Sequence, residues 1–205
     1  MTDRELVPTQ SAFLELTAER AGMHEGYRFL DEKRLILAGE ILANLRDYDA
    51  TMARWREAEA AARAALRAAV GRHGLEELSI YPAAAAACGL ETVGRSVLGV
   101  RVEDLPPLAE VEAEVDDGVA TQASQSPEAD ACRAVFASML PIAARLAVLT
   151  GNLERLRVEY LRTARRARAL EDVLLPEMDA RIRFIDNALE ELEREEAVRV
   201  RRAGR

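Results

Sequence analysis

Several common kinds of protein are excluded by what this chain has little of. Aromatic residues make up 4% of its 205 residues. Four Phe, four Tyr and one Trp are too few for a β-sandwich core, where aromatic and β-branched side chains dominate. Two cysteines, Cys88 and Cys132, make neither a disulfide framework nor a zinc site. The two histidines, His24 and His73, stand far apart with no Cys/His set beside either, and His24 reads as a helix-surface residue. No phosphate-binding loop is present, because Gly94 and Gly99 lack the third glycine, the lysine and the following helix that such loops need. Neither histidine joins a cysteine in a nucleophile motif, and the many carboxylate pairs are those of any acidic helix. We expect no catalytic residue, no metal and no bound cofactor.

Long apolar runs are also missing. Met139 to Leu149 is the longest, broken by Pro141 and Arg145, and it falls short of the ~20 residues that span a bilayer. The opening Met1-Thr-Asp-Arg-Glu-Leu6 is charged, with no apolar stretch behind it. These features predict a soluble protein of a reducing compartment, without direct membrane insertion. Lysine is nearly absent, Lys33 being the only one among 28 basic residues. The net charge of −8 argues against nucleic acid as the main partner.

What remains is 49% apolar and 31% charged, the mixture of long helices and coiled coils. From Pro8-Thr9 to Gly71, apolar residues recur at alternating three- and four-residue steps. The seam is Phe13, Leu16, Arg20, Met23, Tyr27, Leu30, Arg34, Leu37, Ile41, Leu45, Tyr48, Met52 and Trp55, with a one-residue slip at Leu45. It thins to Ala58, Ala62, Leu66 and Ala69, and Gly71 and Gly74 mark the stop. Such a rod is roughly 85–90 Å long. A second rod begins near Pro127-Glu128 and is expected to pause at Pro141 or at Thr150-Gly151-Asn152. Its seam runs through Leu153, Leu156, Tyr160, Thr163, Ala167, Leu170, Leu174, Met178, Ile182, Ile185, Leu189 and Leu192, with a slip beside Pro176, where a bend is expected.

Neither stripe is stable alone in water, and the economical partner for each is the other, folded back antiparallel. The fold expected is mainly α: a long antiparallel two-helix coiled coil of the N-terminal (1–74) and C-terminal (127–205) segments. A small middle region (75–126) carries a short helix at Ala83–Ala87 and a β-hairpin. The strand signals there are Val93 to Val102 and Ala109 to Val115, the second alternating apolar with acidic. Arg162, Arg165, Arg166 and Arg168 form a positive collar on the second rod, to be paired with acids of the first rod or offered to a separate acidic surface.

The second rod carries Thr163, Arg165, Arg166, Ala169, Leu170 and Glu171, then Leu175-Pro176-Glu177, Phe184-Ile185 and Glu191-Leu-Glu-Arg-Glu-Glu196. These are similar to the T-x-R-R-V-N-A-L-E, the I-P and the closing E-x-E-R-E-E of the D subunit, the central rotor axle of V-type and A-type rotary ATPases, which the chain resembles across nearly its whole length. Pro8-Thr9, Gly26, Phe29-Leu30, Lys33-Arg34 and Leu37 resemble the family's opening segment, and Val97-Leu-Gly-Val-Arg-Val102 resembles its I-M-G-V-x-V. Departures are Ala167-Arg168 in place of Val-Asn, and Gln10, Thr17, Glu19, Glu25 and Asp31 where members often carry Lys or Arg.

The resemblance implies a non-catalytic shaft that couples ATP hydrolysis or synthesis in the head to rotation of a membrane ring that moves ions. It implies a peripheral cytoplasmic location and three classes of partner: the A- and B-type nucleotide-binding head subunits, the small F-type stalk protein, and the funnel-shaped subunit on the rotor ring. Lys33, Arg34, Arg165, Arg166, Arg199, Arg201 and Arg202 are implied to face the head. Val97, Gly99, Val100 and Val102 are implied to lie in the partner-stalk region. Leu37, Ile41, Leu170, Leu174, Ile185 and Leu189 are assigned to the seam from spacing. The alternatives are a helical-hairpin adaptor that does not rotate and a homodimeric coiled-coil scaffold.

Overall fold

The computed structural model describes residues 7–78, 91–105 and 126–204. Helix α1 (Gln10–Leu78) leads to strands β1 (Val93–Val97) and β2 (Val100–Asp104). Helix α2 (Pro127–Ala169), a π-helical turn (Leu170–Leu174) and helix α3 (Leu175–Ala203) follow. The chain is mainly helical, its N-terminal helix packs against its C-terminal helices, and a small antiparallel hairpin lies between them in sequence, as expected. It divides into two compact units, Met1–Ile36 with Glu159–Arg205, and Leu37–Val158. The expected short helix at Ala83–Ala87 and strand at Ala109–Val115 lie outside the described residues.

In the first unit, α1 opens on Thr9, whose Oγ1 accepts the Ala12 N–H at 3.2 Å. This is the N-cap arrangement, in which a hydroxyl satisfies one of the helix's unpaired donors. The helices run antiparallel: Arg20 pairs with Asp179, and Lys33 with Glu159 at 2.7 Å. Thr163, Ala167, Met178 and Ile185 are buried.

The slip beside Pro176 has a physical form. Pro176 has no N–H to give the preceding turn, and the chain absorbs one extra residue in the π-helical turn at Leu170–Leu174. Without that residue, the spacing set by Thr163 and Ala167 would carry Glu177, Arg181 and Phe184 inward. With it, Met178 and Ile185 are buried while Phe184 is 60% exposed. Deleting Val173, which is exposed in the turn, should rotate α3 by about 100° and put Met178 and Ile185 into water. We expect at least about 3 kcal/mol of destabilisation in urea melts. Unchanged stability would mean that the turn does not set the phase.

In the second unit the buried positions of α1 are Leu37, Asn44, Thr51, Ala62 and Ala69. Half-buried Ile41, Tyr48, Trp55, Ala58 and Ala65 fill the intervals, so steps of four and three alternate without a break. The slip expected at Leu45 is absent, and Leu45 and Leu66 both face out. Rotational phase decides burial here, ahead of the apolarity of single residues. Asn44 and Thr51 are tolerated inside because each bonds its own helix: Asn44 Nδ2 donates to the Glu40 carbonyl at 2.9 Å, and Thr51 Oγ1 to that of Asp47 at 2.7 Å. Helix α1 breaks at Gly74 (φ 78°) and resumes to Leu78, while Gly71 stays helical.

Helix α2 starts where expected. Ser126 caps it, Pro127 occupies the first helical position, and the Ala129 N–H reaches Ser126 Oγ at 3.3 Å. His73 at the end of α1 bonds the same hydroxyl. The pauses expected at Pro141 and at Thr150-Gly151-Asn152 do not occur. Thr150 turns its hydroxyl back onto the Leu146 carbonyl at 2.7 Å, and Asn152 points its amide away from its own helix, so neither competes with the helical bonds.

The hairpin closes earlier than the alternation predicted. β1 and the first three residues of β2 lie within the first of the two segments, turning at Leu98 (φ 48°) and Gly99 (φ 87°) with Val97 opposite Val100. Two successive positive φ angles make the tight turn whose twist matches the strands, and glycine supplies one of them without strain.

Candidate interaction surfaces

One side-chain amide holds the hairpin in the second unit. Asn152, fully buried on α2, accepts from the Glu103 N–H at 2.9 Å and donates to the Glu103 carbonyl at 2.6 Å. It thus completes one link of a β-ladder from a helix. Arg95 on the other strand reaches Glu40 of α1 and Asp104 of β2. The Thr92 hydroxyl bonds the Glu103 carboxylate at 2.6 Å and, with Arg101 and Arg155, holds its pKa below the usual carboxylate range. Val100 and Val102 are buried within the unit, and Val97 is half-buried. Of the expected stalk-facing residues only Gly99 is exposed, and the exposed side chains of the hairpin are Val93, Arg95, Ser96, Leu98, Arg101 and Asp104. The sequence marks Asn152 only as part of a pause. Its signal is an Asn inside a helix at a seam position. Asn152→Ala should cost about 1–3 kcal/mol and release the Glu103 amide to fast hydrogen exchange. Asn152→Asp keeps an oxygen to accept the Glu103 N–H but loses the donor to the Glu103 carbonyl and buries a carboxylate, so it should also be destabilised. A Glu103 amide still protected in Asn152→Ala would remove the clip.

The expected head-facing cations fall into two groups. Lys33 is mostly buried and bonded to Glu159, so it faces the second helix. Arg34 is half-buried and pairs with Asp31 at 2.6 Å. Arg165, Arg166, Arg201 and Arg202 are exposed, with no ion pair among the described residues, and Arg199 pairs only within its own helix, with Glu195. In the collar, Arg162 bonds Glu159 at 3.2 Å, and Arg168 is exposed beside Arg165 and Arg166. Of the seam residues, Leu37 and Ile185 are fully buried, Ile41, Leu170 and Leu189 are half-buried, and Leu174 is exposed at the end of the π turn.

Lys33 is the main reason that the Glu159 carboxyl sits below its usual pKa, with Arg162 and Arg166 adding to the effect. A lowered folded-state pKa gives stability that is complete above the unfolded value of about 4.3 and is lost as pH falls through the folded value. Melting temperatures measured from pH 6 down to pH 2 should therefore fall less steeply in Lys33→Met than in the native chain. At neutral pH the substitution should cost about 1–2 kcal/mol. Parallel profiles would mean that the pair contributes nothing.

His24 is exposed and stacks on Tyr27, whose hydroxyl is raised in pKa first by desolvation and then by Glu171. A cleft of about 100 Å³ in the second unit is lined by Glu40, Asp47, Arg95, Glu103, Arg145 and Leu149. It is smaller than the few hundred Å³ usual for organic ligands. Among the described residues no three His, Cys, Asp or Glu side chains converge to hold a metal. The helical run Pro127–Ala203 includes one 18-residue window of mean hydropathy 1.7, long and apolar enough to cross a membrane by those measures. Arg133 and Arg145 punctuate this part of α2 and stand near Asp130 and Asp47, each at 3.8 Å.

Comparison with known proteins matches residues 12–205 to the family of ATP synthase D subunits. The chain is 34% identical over 197 residues to the V-type ATP synthase D subunit of Anaeromyxobacter dehalogenans strain 2CP-C, covering 95% of this chain and 93% of that one. It is 32% identical over 201 residues to the A-type ATP synthase D subunit of Pyrococcus abyssi, covering 95% and 91%. With the V-type D subunit of Thermotoga neapolitana it shares 26% over 198 residues, 96% of each chain.

Proposed function

The chain belongs to the family of ATP synthase D subunits, and from that premise we propose that it is a stalk subunit of a V/A-type rotary ATPase, the shaft that couples the head to the membrane ring. The observation that carries this reading is the whole-length match on a chain whose N- and C-terminal helices pack antiparallel through Arg20–Asp179 and Lys33–Glu159. In this reading the head subunits meet Arg165, Arg166 and the C-terminal arginines, which are exposed and charged. The hairpin end meets the small stalk protein and the funnel-shaped subunit. The chain supplies no reacting group. It acts by touching each catalytic interface differently as it turns, so that its orientation biases which site is open or closed. It sits peripherally, joined to the membrane through its complex.

The test is reconstitution with the head subunits from the same host. We expect one copy of this chain in each assembled head, and ATP hydrolysis that stops when the chain is cross-linked to the head. Arg165→Glu with Arg166→Glu should weaken assembly at least about tenfold, or about 1.4 kcal/mol, while leaving the helical melt intact. If the chain purifies as a dimer and takes up no head subunit, the scaffold reading replaces this one.

A further inference from the structure

The two outer edges of the hairpin are in different states. On β2, Glu103 turns both its N–H and its C=O away from β1, because both are bonded to Asn152. Its facing residue is Gly94, so Gly94↔Glu103 is a pair that exchanges no ladder bonds. Alternation along an antiparallel ladder then fixes β1. Arg95 and Val97 bond across to Val102 and Val100, while Gly94 and Ser96 direct their N–H and C=O groups to the outer edge. Both residues are exposed, and their outward backbone groups have no hydrogen-bond partner among the described residues.

The strand at this edge is short and carries one charge, Arg95, which is engaged by Glu40 and Asp104. It has no proline and no bulge, and the register runs unbroken from Val93↔Asp104 to Val97↔Val100. The two faces beside it differ. On one side stand Val93 and Val97, with Arg95 between them held by Glu40 and Asp104. On the other lies Arg101, whose guanidinium passes over Gly94, where a Cβ would come within 3.3 Å of its Nε. Arg101 is 77% exposed, with Glu103 3.3 Å away on its inner side.

We infer that the β1 edge accepts an extended segment of another subunit as a third strand, apolar toward Val93 and Val97 and acidic toward Arg101. This rests on the stalk-subunit reading, in which the hairpin meets a partner, and it specifies how. Backbone bonds from Gly94 and Ser96 give the attachment, and the faces on either side select the sequence. Val100 and Val102 are buried against the hairpin's own unit and hold it in place.

Hydrogen exchange on the full chain, alone and in the assembled complex, tests this. The amides of Gly94 and Ser96 should exchange fast in the free chain and about tenfold or more slowly in the complex. Those of Arg95 and Val97 should be slow in both. Ser96→Pro removes an outward N–H that the ladder does not use, so the hairpin should survive while protection of Gly94 is lost on assembly. Ser96→Ala keeps the amide and should retain that protection. If the chain assembles but Gly94 and Ser96 exchange equally in both states, strand addition is wrong and the stalk reading stands. If the chain joins no other subunit, both fall. If protection rises with the concentration of the free chain alone, the edge pairs with a second copy, which also overturns the inference.

Discussion

A helix with a single apolar stripe is unstable in water until that stripe is covered, and every other feature of this chain depends on the register in which the covering occurs. In a coiled-coil seam the positions that turn inward are fixed by steps of three and four, whatever residue occupies them. That constraint puts Asn44 and Thr51 inside and leaves Leu45 and Leu66 outside. It also explains the π turn at Leu170–Leu174. One added residue brings the apolar set of α3, out of phase with that of α2, back onto the inner face. Asn44 and Thr51 each find a bond on their own helix, and Asn152 finds one on a strand. An unpaired polar group at such a site would cost more than an exposed leucine gains.

Much of this was legible in the sequence, because hydrophobic spacing is a direct image of burial. The two helical segments, their antiparallel pairing, the capped start at Pro127 and the slip near Pro176 all follow from residue order. Apolarity points to a slip at Leu45, where rotational phase rules instead. Helix-breaking residue types make Thr150-Gly151-Asn152 look like a pause, although Thr150 bonds its own helix and Asn152 bonds Glu103 of β2. The hairpin turn comes earlier than the alternation suggests because Leu98 takes a left-handed conformation that its side chain does not advertise. Of the candidate contact residues, the exposed arginines at 165, 166, 201 and 202 were legible as surface charge. The inward direction of Lys33 was not, since it depends on a carboxylate 126 residues away in the chain.

Charge is partly paired between the helices and partly left at the surface. The inter-helix ion pairs of the first unit each join one basic and one acidic residue, so they settle register while adding no net charge. Of the cations expected to face a partner, Arg165, Arg166, Arg201 and Arg202 are exposed with no ion pair among the described residues. In the second unit, the hairpin is fastened on one edge by Asn152 and left open on the other.

The central claim is that the N- and C-terminal segments of one chain pair with each other. Arg20 and Asp179, in contact across the two helices, give the direct test. Both are changed to cysteine in a chain whose Cys88 and Cys132 are replaced by serine, and a short bismaleimide is added at low protein concentration. The account predicts a cross-link within single chains, seen as a compact species that runs ahead of the untreated monomer. Cross-linked dimers, with no compact monomer at any dilution, would contradict it.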